Sequence, residues 1–250
     1  MEAVREAGAL AFSFFRRSPE TWKKAAGDPV SEADIAVDVL LRERLHAPRP
    51  DYGWLSEESE DDPVRMDHRR VWIVDPIDGT RAFLEERPEF TVVAALVEDG
   101  YPVLGAVYNP ATDEFFDAVK GGGARLNGQT IHVSQRHDFN DARLLASARM
   151  VKRTIEAMST SPATYDAVNS VAYRMALVAC GTYDATLSLG PKSDWDIAAA
   201  DLVVTEAGGL STDATGARFV YNGATPRHPS LAVANPALHA RLLEVVESLD

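Results

Sequence analysis

Cysteine occurs once in 250 residues, at Cys180. That excludes an intrachain disulfide framework and a cysteine-based zinc site. Long apolar runs are missing too: stretches such as Val92 to Val97 fall far short of the roughly 20 residues needed to span a bilayer. Positive charge is scarce. Lys and Arg number 25 against 38 Asp and Glu, a net charge of −13. Such a chain lacks the positive field that nucleic acids and anionic membranes require, so it is a poor candidate for non-specific binding to either, although a local basic pocket is compatible with it. There is no internal repeat and no low-complexity linker. Glu2, Arg5 and Glu6 interrupt the start of the chain where a signal peptide would carry a basic start and an apolar core, so a cytoplasmic location is expected. What is present, 46% apolar and 8% aromatic residues, is the composition of an ordinary globular protein.

The first part of the chain reads as helical. Val4, Ala7, Leu10, Ala11 and Phe14 fall at helical spacing within 3–16. A second helix opens at Ser31-Glu32-Ala33-Asp34, a capping-box pattern with Asp in place of Glu, and Ile35, Val39, Leu40 and Leu41 are its expected buried stripe. From about residue 70 the pattern changes. Val71 to Val74, Phe90 to Val97, Val103 to Tyr108 and Phe115 to Val119 read as strands. Turns at Asp99-Gly100, Gly121 to Gly123 and Asn127-Gly128 predict an antiparallel meander over 70–133. The second half alternates strands (144–146, 183–189, 231–234) with helices (170–179, 195–207, 236–249). The expected class is α/β, with an α+β N-terminal subdomain 1–140 and an α/β C-terminal subdomain 141–250.

Three acidic segments carry the chemistry. The strand Trp72-Ile73-Val74 delivers Asp75-Pro76-Ile77-Asp78-Gly79-Thr80, two carboxylates three residues apart; the same residue types are common in plain turns. Glu57-Glu58-Ser59 follows a short strand and also reads as a solvated acidic loop. Asp194-Trp195-Asp196 starts an Ala-rich helix, where Asp194 alone could serve as the N-cap. Clustered carboxylates without matching cations are costly unless metal ions neutralise them. Oxygen ligands select Mg²⁺, Mn²⁺ or Ca²⁺. Two such ions would clamp a phosphate and activate water, while the N–H groups of Gly79 and Thr80 hold phosphate oxygens. An Asp-x-x-Asp spacing rules out the Asp-x-Asp nucleophile of haloacid dehalogenases.

In this order along the chain, these motifs, with Trp195-Asp196-Ile197-Ala198-Ala199, resemble the inositol monophosphatase superfamily of Mg²⁺-dependent, lithium-sensitive phosphomonoesterases. The resemblance implies a layered αβαβα sandwich of the inositol monophosphatase/fructose-1,6-bisphosphatase type and a homodimer. By the same resemblance, Glu57, Asp75 and the carbonyl of Ile77 bind a first metal, and Asp75, Asp78 and Asp196 a second. A third, weaker site uses Glu57 and waters, and Mn²⁺ suits the same donors as Mg²⁺. Thr80 orients the attacking water and Asp34, from Asp28-Pro29-Val30-Ser31-Glu32-Ala33-Asp34, polarises its hydroxyl. Glu58 lies behind the metal ligands. Lys24, with Lys23 as competitor, falls near the family's loop lysine.

The resemblance implies a small phosphorylated metabolite as substrate. Inositol monophosphatases carry a Glu about seven residues before the last metal-binding Asp, where this chain has Leu189. Arg81 after Thr80, and Pro191-Lys192-Ser193-Asp194-Trp195-Asp196, resemble the bacterial 3′(2′),5′-bisphosphate nucleotidase branch, which removes the 3′-phosphate of 3′-phosphoadenosine 5′-phosphate. Arg81, Lys192 and Ser193 are then expected substrate contacts, beside Gly79 and Thr80; for Lys192 and Ser193 an exposed loop is the equal alternative. Tyr173 and Arg174 are further candidates, with helix packing as an equal explanation for Tyr173. Inositol-1-phosphate and histidinol phosphate are the alternative substrates. A non-catalytic role in RNA or transcription processes would be signalled by a missing ligand or a basic face, and neither is present.

Overall fold

The computed structural model describes residues 1–24, 27–146 and 164–247. Helix α1 (Glu2–Phe14) and helix α2 (Glu32–Leu41) flank a small hairpin, β1 (Thr21–Lys23) paired with β2 (Pro29–Ser31). A seven-stranded sheet follows, in spatial order β3 (Gly53–Ser56), β4 (Arg70–Asp78), β5 (Thr91–Glu98), β6 (Tyr101–Asn109), β7 (Glu114–Val119), β8 (Ala124–Leu126) and β9 (Gln129–Thr130). Only the β3–β4 pair is parallel, so the predicted meander is present with one extra strand on its edge. The short helix α3 (Thr80–Leu84) leaves the end of β4.

Beyond residue 140 lies a five-stranded sheet of β10 (Arg143–Ala146), β11 (Thr164–Ala167), β12 (Ala185–Ser188), β14 (Leu210–Thr212) and β16 (Leu231–Ala234), in the order β11-β10-β12-β16-β14. The two-residue strands β13 (Lys192–Ser193) and β15 (Arg227–His228) pair separately. Helices α4 (Val171–Ala179), α5 (Asp194–Glu206) and α6 (Pro236–Glu247) lie in the same half, among the described residues. The predicted extension of α6 to residue 249 lies outside the described residues.

The layers follow from which side chains share a core. Trp72, Val74, Val92 and Ala94 pack with Val4, Ala7 and Val37 of α1 and α2. Their strand neighbours Ile73, Val93 and Ala95 point the other way, onto α4 and α5, whose far side meets Leu145 and Val233 of the second sheet. Leu144, Ala185 and Ala234 on that sheet's outer face pack with Leu238 and Leu242 of α6. The order is helices, sheet, helices, sheet, helix: the expected αβαβα sandwich. Strands buried on both faces explain the near-continuous apolar runs in the sequence. At the centre, a Cβ on Gly105 of β6 would stand 2.5 Å from the carbonyl oxygen of Ala199. The missing side chain lets the buried run Ala198–Ala200 of α5 lie directly on the sheet.

Two expectations need correction. In α2, Ile35 and Val39 are 38% and 51% exposed, and the buried face is Ala33, Asp34, Val37, Asp38 and Leu41. Aspartates occupy two inward positions because they bond to the site below, so the apolar pattern misplaces the buried face. In α5, the N-cap is Ser193, not Asp194. Ser193 and Asp196 form a capping box, and the buried Asp194 instead accepts from the backbone N–H of Asn222 (2.7 Å) and pairs with His228 Nε2 (2.9 Å).

Candidate active site

The end of β4 sets the geometry. Side chains alternate along a strand, so residues three apart would face opposite ways. The register between β4 and β5 shifts between Asp75 and Asp78, a bulge-type irregularity that lets both carboxyl groups reach one cleft. The strand thus runs past Asp75-Pro76, where the sequence suggested its end. Gly79 then adopts φ +99°, and a Cβ there would stand 2.9 Å from the Glu89 carbonyl oxygen, so glycine is required to turn the chain into α3.

One carboxylate oxygen from each of Glu57, Asp75 and Asp196 lies within 4.8 Å of the others. These three residues arrive from the β3 loop, the β4 bulge and the first turn of α5, and so from stretches remote in sequence. Asp78 lines the same cleft, of about 320 Å³, but belongs outside that tight triad. Its Oδ2 accepts from the Ser170 hydroxyl (2.6 Å) and the Ala172 N–H (2.6 Å), which ties it to the start of α4. Asp75 Oδ1 accepts from the Ile77 N–H (3.1 Å).

Thr80 also lines the cleft; its hydroxyl is 3.0 Å from Asp34 Oδ1 and 3.0 Å from the carbonyl oxygen of Ile77. Asp34 Oδ2 meanwhile accepts from the Ser31 N–H (2.8 Å), as the third residue of the α2 capping box. Asp196 repeats the arrangement: its Oδ2 accepts from the Ser193 N–H (2.8 Å). At the starts of α2 and α5 the pattern Ser-x-x-Asp thus closes a capping box with an aspartate that also serves the site, Asp196 lining the cleft and Asp34 holding the Thr80 hydroxyl.

Charge is crowded here. Burial, then the neighbouring Glu57, Asp78 and Asp196, push the Asp75 carboxyl well above the usual carboxylate range. Burial and then Asp78 push Asp196 up to about 7. Burial also raises Asp78, against the bonds from Ser170 and Ala172, and raises Asp34. Glu58 rises to about 7, chiefly by burial, although Lys24 acts to lower it. Converging oxygen donors that repel one another in this way fit a divalent cation, and hard donors of this kind suit Mg²⁺ or Mn²⁺.

The basic residues divide. Lys24, not Lys23, reaches the site: its Nζ donates to Glu57 Oε1 (2.8 Å) and Glu58 Oε1 (2.7 Å). Burial disfavours its charge, but the two glutamates outweigh that and raise its pKa. Lys192 lines the cleft, with Nζ donating to the carbonyls of Gly190 (3.2 Å) and Pro191 (2.9 Å). Arg81 stands at the rim and pairs with Asp28 (2.7 Å). Ser193 is not among the lining residues; its side chain takes part in the cap of α5. Tyr173 donates to Glu114. Arg174 is buried, with Nε unpartnered among the described residues; burial lowers its pKa, and Asp78 and Asp196 oppose that shift. Leu189 packs against the apolar cluster of Leu187 and Val246.

Sequence reasoning gave no place to Asp38 or Ser170. Ser170 had a signal, a serine just before a helix, and its cap is present: it accepts from the Tyr173 N–H (3.0 Å). The bond from the same hydroxyl to Asp78 had none.

Comparison with known proteins gives a consistent answer. Residues 1–250 match the inositol monophosphatase family. An inositol-1-monophosphatase of Rhizobium meliloti (strain 1021) is 35% identical over 90% of this chain and 85% of its own length. A 3′(2′),5′-bisphosphate nucleotidase CysQ of Aggregatibacter actinomycetemcomitans is 30% identical over 89% and 86%. The crystal structure of the extragenic suppressor protein suhB from Bartonella henselae superposes with a TM-score of 0.88, at 29% identity, over 98% of this chain and 96% of that one. Relatives of different branches match alike, so the nucleotidase branch expected from Arg81 and Lys192 is not favoured over the others. The fold, the order of the acidic motifs and the match along the full length agree: the chain belongs to the inositol monophosphatase family.

Proposed function

We propose that this protein is a Mg²⁺-dependent phosphomonoesterase whose substrate is a small polyol monophosphate of the inositol-1-phosphate kind. The observation that carries the reading is the convergence of Glu57, Asp75 and Asp196 beside a threonine hydroxyl held by a buried aspartate. The inositol-1-monophosphatase of Rhizobium meliloti, at 35% identity, supports the substrate class. Glu57, Asp75, Asp78, Asp196 and the Ile77 carbonyl would hold the metal ions. When bound, such ions neutralise a phosphate ester, acidify water and stabilise the departing oxygen. Asp34 holds the Thr80 hydroxyl in place to orient the attacking water. Gly79, Thr80 and Lys192 receive the phosphorylated substrate in the cleft. The division near residue 140 belongs to this reading: the N-terminal part brings Glu57, Asp75 and Asp78, and the C-terminal part brings Lys192 and Asp196.

One observation favours a second reading. Lys192 in the cleft and Arg81 at its rim offer two cations to a substrate with a second phosphate, such as 3′-phosphoadenosine 5′-phosphate. A phosphate-release assay in Mg²⁺ separates the two. A higher kcat/KM for inositol-1-phosphate than for 3′-phosphoadenosine 5′-phosphate, histidinol phosphate and fructose-1,6-bisphosphate supports the first reading. The reverse order for the nucleotide supports the second, and no release from any of the four overturns both.

A further inference from the structure

Asp38 lies one helical turn beyond Asp34 on α2 and is 7% exposed. Its two carboxylate oxygens go to two different hydroxyls: Oδ1 accepts from Ser56 Oγ, and Oδ2 from Ser59 Oγ (2.6 Å). Ser56 ends β3, and Ser59 lies three residues on. Between them stand Glu57 and Glu58. Ser56 Oγ also accepts from the Glu58 N–H (3.3 Å), and Trp54 Nε1 donates to Ser59 Oγ (3.4 Å). The backbone at Glu57 itself is held by one long bond, from its N–H to the Val74 carbonyl (3.4 Å). The loop bearing the glutamates therefore owes much of its shape to a bracket formed by one side chain of another element.

Residues four apart share a helix face. Asp34 and Asp38 both point inward from α2, the first to Thr80 after β4, the second to the loop after β3. We propose that Asp38 is a positioning residue: through Ser56 and Ser59 it sets the place of Glu57 relative to Asp75 and Thr80, and so tunes the grip of the site on a divalent cation. The inference rests on the reading of Glu57 as a metal ligand. It explains why α2 buries a second aspartate, where an apolar residue would serve packing alone. It also accounts for two serines flanking the glutamate pair, since each supplies the hydroxyl donor that one carboxylate oxygen accepts.

The test is Mg²⁺ titration by isothermal calorimetry on folded wild type, Asp38→Ala, Asp38→Asn, Ser56→Ala and Ser59→Ala, with melting temperatures of the metal-free proteins recorded alongside. The expected result is a Kd weakened about tenfold in Asp38→Ala and several-fold in each serine variant, Asp38→Asn falling between because its amide keeps one acceptor. That is the loss seen when groups orienting a metal ligand are removed. Excess Mg²⁺ should restore most of kcat in the same variants at a temperature where their metal-free forms are fully folded, so that stabilisation by the ion does not produce the rescue. If Asp38→Ala fails to fold, the serine variants and Asp38→Asn decide. Kd values equal to wild type, whatever the melting temperatures do, overturn the inference alone. A wild-type protein that binds no Mg²⁺ overturns the metal reading of the cleft and this inference with it.

Discussion

Lys24 Nζ lies 2.8 Å from Glu57 Oε1, so a carboxylate of the candidate metal site is already engaged by a cation from the β1–β2 hairpin. Lys24 and a divalent ion therefore compete for the same oxygen and repel one another. A unit charge about 4 Å away is worth about 1 kcal/mol even in water. Lys24→Gln is expected to tighten Mg²⁺ binding about fivefold, read as a lower Kd by calorimetry. An unchanged or weaker Kd would show that the lysine does not oppose the ion.

Asp75→Asn and Asp196→Asn remove charge from a group of mutually repelling carboxyls. The metal-free variants should melt no lower than wild type. The stabilisation that Mg²⁺ confers should disappear; for a site filled at 100 times its Kd this is about 2.7 kcal/mol. Turnover should fall at least about a hundredfold, since even outer partners of metal ligands cost that much. Phosphate release and melting curves with and without Mg²⁺ check both; full activity in either variant contradicts the ligand assignment.

The pH dependence has a definite sign. Burial and the neighbouring carboxylates hold Asp196 at about 7 in the folded protein, above its ordinary 3.8. Between these values the folded state binds more protons than the unfolded one, so stability falls as pH rises through this window. The metal-free melting temperature should therefore drop between about pH 4 and 7. Mg²⁺ must displace that proton, so binding should strengthen as pH rises to about 7 and release protons. Calorimetry at pH 6 in buffers of different ionisation enthalpy detects the release, and buffer-independent heats would contradict the buried-acid picture.

Thr80 Oγ1 touches Asp34 and the Ile77 carbonyl at once. Thr80→Ala should lower kcat about a hundredfold, the lower end of what a positioned proton-transfer group contributes. KM should change little, and Thr80→Ser should retain most of the rate. A variant that alters KM alone would place Thr80 in substrate binding instead.

At Gly105 a Cβ has no space against the Ala199 carbonyl. Gly105→Ala should cost about 1–3 kcal/mol through overpacking, seen as a melting temperature several degrees lower. A melting temperature equal to wild type would mean that α5 shifts freely on the sheet.

Much of this was legible in the sequence, and the failures have a physical pattern. Strands buried on both faces announce themselves by unbroken apolar runs, as in Val71 to Val74 and Val92 to Val97. The acidic cluster of Glu57, Asp75 and Asp196 was legible because three short motifs occur in one order. Side chains that act across elements were not legible. The apolar pattern puts Ile35 and Val39 inside and gives Asp38 no part, when it is the aspartate that is buried and the two aliphatics that face solvent. Lys24 could not be told from Lys23 without the hairpin geometry. Ser193 reads as a substrate contact from the resemblance of Pro191 to Asp196 to the nucleotidase branch, and the part its side chain takes in the helix cap shows only in the structure.

The doubled use of Ser-x-x-Asp limits how the protein can be altered. At the starts of α2 and α5, one aspartate both closes the capping box and serves the site, Asp34 through Thr80 and Asp196 in the cleft itself. Engineers who seek a hardier protein by rewriting helix starts have no freedom at those two. The start of α1 is open to them, since its leading Met1 offers no side-chain cap and stands apart from the cleft residues.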